Sequence, residues 1–134
     1  MREGEGYISP RPFEFWVPGD GEGKLVTNIR NNENVIIFEH VIGDKPIFFD
    51  LPYPTNHAWE HYVYTIGDGK AQFFRNGEII GEIDVDTSVI KLGSDFAMGR
   101  MNHPSWDVMA GRLDDIAIYN RVLTHDEVAG INKL

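Results

Sequence analysis

Apolar residues along the chain come in short runs that stop at turn formers. "FEFWV" (13–17) ends at "PGDGEG", "KLVTNI" (24–29) at "RNNEN", "VIIFEHVI" (35–42) at "GDKP" and "IFFDL" (47–51) at "PYPTN". "WEHYVYTI" (59–66) runs into "GDGK", "AQFFR" (71–75) meets "EIIGEIDV" (78–85) across Asn76-Gly77, and "FAMGRM" (96–101) and "GRLDDIAIYN" (111–120) follow. Runs of this length, rich in β-branched and aromatic residues and bounded by Gly, Pro, Asn and Asp, predict strands. The Asn-Gly pair predicts a type I′ hairpin, because both loop positions need positive φ and these two residues tolerate it best.

That two-residue loop places Arg75 opposite Glu78, Phe74 opposite Ile79 and Phe73 opposite Ile80. Alternation then makes Phe74, Ile79, Ile83 and Val85 one apolar, core-facing side, and Phe73, Arg75, Glu78, Ile80, Glu82, Asp84 and Asp86 a mixed outer side. Helical signals gather at the end of the chain, where Thr124 with Glu127 three residues on forms a capping box ahead of "VAGINKL". Gly130 holds that helix to about two turns. Strand after strand without βαβ alternation predicts one all-β domain over 1–134, an antiparallel β-sandwich of jelly-roll type with a short C-terminal helix.

Composition narrows the partners. With 42% hydrophobic residues in 134, the chain is long enough to bury a core. Lys plus Arg number 12 against 21 Asp plus Glu, a formal net charge of −9, and the cations form no stripe, so nucleic acid is not an expected partner. The start "MREGEGYISP" has no apolar signal-peptide core, and no apolar run is long enough to insert in a membrane. The absence of cysteine removes a disulfide framework and a thiol nucleophile but leaves the compartment open.

Three places carry candidate chemistry. In "GEIDVD" (81–86), Glu82, Asp84 and Asp86 stand two apart, so a strand projects all three carboxylates from one face, the layout of a retaining glycosidase. In the loop "NHPSWDVMA" (102–110), Trp106 offers a flat ring for stacking on a sugar and Asn102, His103 and Asp107 offer hydrogen bonds. The other reading of Trp106 is a lid folded back on the sandwich edge. Tyr53 and His57 in "PYPTNHAW" form a weaker loop candidate of the same kind. The five histidines, at 40, 57, 61, 103 and 125, give no helical zinc pair: His57 and His61 stand four apart, but in a loop and the run predicted as a strand rather than on a helix. There is neither a Gly-x-Ser-x-Gly elbow nor a phosphate-cradling loop before a helix.

"WEHYVYTIGDGKAQFFRNGEIIGEI" resembles the tryptophan, histidine, strand and Asn-Gly hairpin pattern of laminin G-like domains in the concanavalin A-like superfamily. "FAMGRM" and "GRLDDIAIYNRVLTHDEV" resemble that family's closing signature: a strand ending in Gly-Arg, a Gly-x-Ile-Asp-Glu strand, an Arg-x-Leu corner and a short helix. The resemblance is good over 59–131 and weaker upstream, where it implies that the family's first strand is missing. A jelly roll short of one strand exposes an edge, so a homo-oligomer is expected, through apolar strands such as 35–42 or 47–51. The resemblance further implies core roles for Trp16 and Trp59 and an extracellular or cell-surface location. It also implies a part for Asp114 in a structural calcium site, although Asp114 could equally hydrogen-bond backbone amides at the closing corner.

The β-glucanases of the same superfamily carry a Glu-x-Asp-x-Glu motif, and Asp86 stands where that motif has its second glutamate. The side chain is one methylene short for carboxyls that must sit roughly 5–5.5 Å apart. The expected function is therefore a non-catalytic module that binds carbohydrate or a glycosylated surface. Two alternatives are a glucanase-type hydrolase using Glu82, Asp84 and Asp86, and a structural or assembly subunit without a small ligand.

Overall fold

The computed structural model describes residues 12–16, 21–30, 34–53, 58–99 and 111–133. Among the described residues eight strands run in chain order: β1 (Phe13–Trp16), β2 (Leu25–Arg30), β3 (Val35–Ile42), β4 (Lys45–Pro52), β5 (Tyr62–Gly67), β6 (Lys70–Arg75), β7 (Glu78–Asp84) and β8 (Asp95–Met98). A 3-10 turn covers Thr87–Val89, and the helix α1 spans His125–Ile131. Every strand pairing is antiparallel, in one five-stranded and one three-stranded sheet, the elements of the expected all-β class. The chain falls into two compact units, Met1–Tyr53 with Lys91–Asp115, and Pro54–Ile90 with Ile116–Leu134.

Unit 1 carries the five-stranded sheet, in the order β4-β3-β2-β1-β8. Cross-strand register puts Leu25 opposite His40, Thr27 opposite Phe38, and Phe38 opposite Phe49. These side chains share one face with Ile36 and Leu51, and all of them are buried. Phe38 sits between Phe13 and Phe49, with ring centroids 6.2 and 6.4 Å away, within the range where tilted aromatic pairs attract. The opposite face is also covered near its middle: Glu14, Val26 and Val41 are buried, and Lys24 pairs with Glu39 at 3.0 Å. β3 is bonded to a neighbour along both edges, so of the two expected modes of self-association, strand pairing and packing of sheet faces, residues 35–42 are open to the second alone. The edge strand β4 carries Pro46 and Pro52, which lack the N–H that a further strand would need.

Unit 2 carries the sheet β5-β6-β7. Both hairpin loops hold two residues at positive φ, Asp68 and Gly69 (52° and 80°) and Asn76 and Gly77 (51° and 85°), as a type I′ turn requires. The second hairpin starts in the expected register, Arg75 with Glu78 and Phe74 with Ile79, and then departs from it: Phe73 pairs with Gly81, leaving Ile80 as the extra residue of a bulge. One extra residue inverts every side chain beyond it. Ile83 consequently shares a face with Ala71 and Phe73, whereas Glu82 and Asp84 share one with Gln72, Lys70 and Phe74. The expected apolar side of Phe74, Ile79, Ile83 and Val85 is corrected accordingly. Phe73, expected outside, is 3% exposed and packs between Tyr62 and Tyr64.

The Phe74 face is closed by the end of the chain. Phe74, Leu123 and Val128 form a buried cluster, with Val63 and Ile131 against it, and burying an apolar side chain of this size contributes about 1.5–3 kcal/mol. α1 begins as expected: Thr124 Oγ1 accepts from the Glu127 amide at 3.3 Å, and the Glu127 carboxylate accepts from the Thr124 amide at 2.8 Å. α1 has seven residues, the two turns expected, with Gly130 next to its last position. The strand expected over 111–120 is not formed; these residues join no ladder among the described residues and all are exposed. Ile116 and Ile118 alternate as a strand would, but Asp115 takes φ 52°, which interrupts extended backbone just before them.

Candidate functional site

The acidic run on β7 is tied up by its neighbours. The bulge at Ile80 sets Glu82 opposite Gln72 and Asp84 opposite Lys70. Lys70 Nζ and Gln72 Nε2 each donate to the Glu82 carboxylate at 2.6 Å. The Lys70 hydrogen bond, then that of Gln72, holds the Glu82 carboxyl below the usual glutamate range. Asp84 is exposed at the strand end. Asp86 lies beyond the strand and caps the 3-10 turn by accepting from the Ser88 amide at 2.9 Å and from the Ser88 hydroxyl. Those bonds, the hydroxyl first, lower its pKa as well. The arrangement can hold negative charge, and it keeps no proton on either Glu82 or Asp86 at neutral pH.

Asp114 is exposed, and its Oδ1 accepts from the Asp115 amide at 2.9 Å. Among the described residues no three His, Asp or Glu side chains are placed to hold a metal ion, and one carboxylate does not make a calcium site. Asp114 thus makes the backbone hydrogen bond of the second reading. Tyr53 is half-buried and extends the β3–β4 pairing, its amide donating to the Asn34 carbonyl at 2.8 Å. His57, Asn102, His103, Trp106 and Asp107 lie outside the described residues.

Trp59 departs most from expectation. Expected in the core, it is 65% exposed, in the irregular stretch just before β5. A solvated indole is unusual, since burying it would gain far more than most side chains can. The residues after it are anchored. Glu60 accepts hydrogen bonds from the Tyr62 hydroxyl and from Arg75 Nη2, and Tyr62 and Arg75 face each other across the β5–β6 ladder. The Glu60 bond raises the Arg75 pKa further. His61 is fixed through its backbone, its amide donating to Asn76 Oδ1 at 2.9 Å and its carbonyl accepting from the Asn76 amide at 2.7 Å. Its Nδ1 is buried without a hydrogen-bond partner among the described residues. The Glu60–Arg75 pairing was readable from the hairpin, which sets Arg75 beside Tyr62; the exposure of Trp59 had no sequence signal.

A laminin G-type family model, described as the concanavalin A-like lectin/glucanases superfamily, matches residues 4–129. A solved structure of an S-layer domain-containing protein from Clostridium thermocellum ATCC 27405 is similar at 20% identity with a TM-score of 0.41, covering 98% of this chain and 66% of that one. This chain thus spans just under two thirds of that structure's length. No curated protein matches the chain.

Proposed function

We propose a function from the premise that this chain is a laminin G-like domain belonging to the concanavalin A-like lectin/glucanase superfamily: it is a non-catalytic module that recognises carbohydrate or a glycosylated surface. Members of such a superfamily share a scaffold but not a reaction, so function follows from the side chains this chain presents. The observation that carries the reading is the 65% exposure of Trp59 at the entry to β5. A flat indole held in solvent beside an ordered hydrogen-bonding group, here the Glu60–Tyr62–Arg75 set, is suited to stacking on a sugar ring.

The non-catalytic part of the reading is supported by the state of the carboxylates. Retaining hydrolysis needs one carboxyl to keep its proton at working pH while the other is ionised. Hydrogen bonds from Lys70, Gln72 and Ser88 shift both Glu82 and Asp86 toward ionisation, opposite to the direction a general acid requires.

A glycan array probed with the wild type and with Trp59→Ala, each with calcium and with a chelator, tests the reading. Selective glycan binding that weakens in Trp59→Ala and is the same in both media supports it. A wild type that retains no glycan in either medium refutes it, and binding that appears only with calcium refutes the account of Asp114.

A further inference from the structure

The hairpin that joins β6 to β7 is held at its tip from two sides. Asn76 and Gly77 form the loop, with φ of 51° and 85°, the left-handed pair of a type I′ turn. On the side of β5, the Asn76 amide donates to the His61 carbonyl at 2.7 Å, and Asn76 Oδ1 accepts from the His61 amide at 2.9 Å. On the side of the helix, Asn132, the C-cap of α1, donates through Nδ2 to the Asn76 carbonyl at 3.0 Å. Gly77 lies against the same helix end, where an added Cβ would touch Ala129 Cα and Asn132 Cβ, both at 3.4 Å. α1 is held down in turn by Val128, fully buried in the cluster with Phe74 and Leu123.

We infer that Asn76 is a latent site of deamidation and that docking of α1 on the hairpin keeps it closed. Asn76 is exposed to water, and none of the other asparagines precedes a glycine, the residue whose bare backbone leaves its amide nitrogen least hindered. In the reaction that nitrogen gives up its proton and attacks Cγ of Asn76, closing a succinimide ring while Nδ2 leaves as ammonia. Water then opens the ring at either carbonyl, leaving aspartate or isoaspartate.

The turn withholds the reacting geometry. Its first loop position has ψ of about 30°, which points the Gly77 nitrogen almost opposite to Cβ across the Cα–C bond of Asn76. Ring closure needs the two on the same side, so ψ must turn by more than a right angle. That rotation swings the Asn76 carbonyl away from Asn132 Nδ2, the group that ties it to α1. Helix docking and the reaction therefore compete for one peptide unit, and Asn76 reacts from the locally opened form in which the helix end has let go. The isoaspartyl product cannot restore the turn, because its main chain runs through the former side chain and lengthens a two-residue loop by one methylene.

Peptide mapping by mass spectrometry, on the full chain during incubation at mildly alkaline pH, tests this. Deamidation adds the mass difference between aspartate and asparagine, which isomerisation at Asp20-Gly21 or Asp68-Gly69 does not. Asn76 of the folded wild type should react about tenfold or more slowly than in the same chain unfolded in urea, tenfold corresponding to an opening free energy of about 1.4 kcal/mol. Asn132→Ala should speed the folded-state reaction by roughly 2–10-fold, the effect of one lost hydrogen bond, and Val128→Ala, which loosens the helix from beneath, should speed it as well. A folded wild type that reacts as fast as the unfolded chain overturns the gate, as does a rate left unchanged by either substitution. An unfolded chain in which Asn76 does not react overturns the site itself. If Val128→Ala does not fold, Asn132→Ala, at an exposed position, decides alone.

Discussion

Phe73 faces Gly81 across the β6–β7 ladder while its neighbour Phe74 faces Ile79. This single irregularity decides what the acidic run of β7 can do. It turns Glu82 onto the face where Lys70 and Gln72 wait and leaves Ile83 with Phe73 and Ala71. A carboxylate so paired is a fixed anion.

The first expectation follows for catalysis. The protein should release no reducing ends from β-1,3- or β-1,3/1,4-glucans above blank, and Glu82→Gln should leave that baseline and the thermal midpoint unchanged, as for an exposed ion pair. Turnover in the wild type that disappears in Glu82→Gln would instead place Glu82 in an active site.

Gly67 and Val122 form a second testable pair. A Cβ on Gly67 would meet Val122 Cγ2 at 2.4 Å, so the corner after Tyr119 closes over β5 only because residue 67 has no side chain. Gly67→Ala should cost about 1–3 kcal/mol in urea unfolding, the usual range for overpacking, and Val122→Ala should recover part of that loss in the double variant. Simple additivity of the two substitutions would show that they do not share the contact.

Glu127 predicts an acid transition at α1. Its carboxylate takes two hydrogen bonds from Arg121 and closes the capping box on Thr124, and these, Arg121 first, bring its pKa down from 4.5 to about 2. A folded-state pKa below the unfolded one gives stability that is present above pH 4.5 and lost as pH falls toward 2. Helical circular dichroism should decline across that window, and Glu127→Gln should flatten the decline. An identical profile in Glu127→Gln would assign the transition to other groups.

What could be read from the sequence was whatever short-range chemistry determines. Asn76-Gly77 dictated its hairpin through the φ values its loop demands, and Thr124 with Glu127 dictated the start of α1. The extra residue at Ile80 left no trace, because Ile-Ile-Gly is equally compatible with a regular strand. The alternation of Ile116 and Ile118 reads as a strand, yet a strand exists only with a ladder partner, and no local pattern names one. Trp59 was assigned to the core because the family resemblance places it at a core position; its exposure depends on how the chain enters β5, which lies beyond any pattern of spacing. Of the sugar-site candidates, the signal for Trp106 came from loop composition alone, whereas the Glu60–Tyr62–Arg75 set is built by the pairing of β5 with β6.

The measurement that bears most directly on carbohydrate recognition is calorimetric titration of the strongest array glycan into the wild type and into Trp59→Ala, with urea unfolding of both as the control for fold. Loss of about 1–3 kcal/mol of binding free energy is expected, the scale of one stacked aromatic by alanine substitution. The variant should keep wild-type stability within about 0.5 kcal/mol, as an exposed substitution does. Unchanged affinity in a folded Trp59→Ala protein, or a variant that fails to fold, would contradict the placement of Trp59 as the sugar-stacking residue.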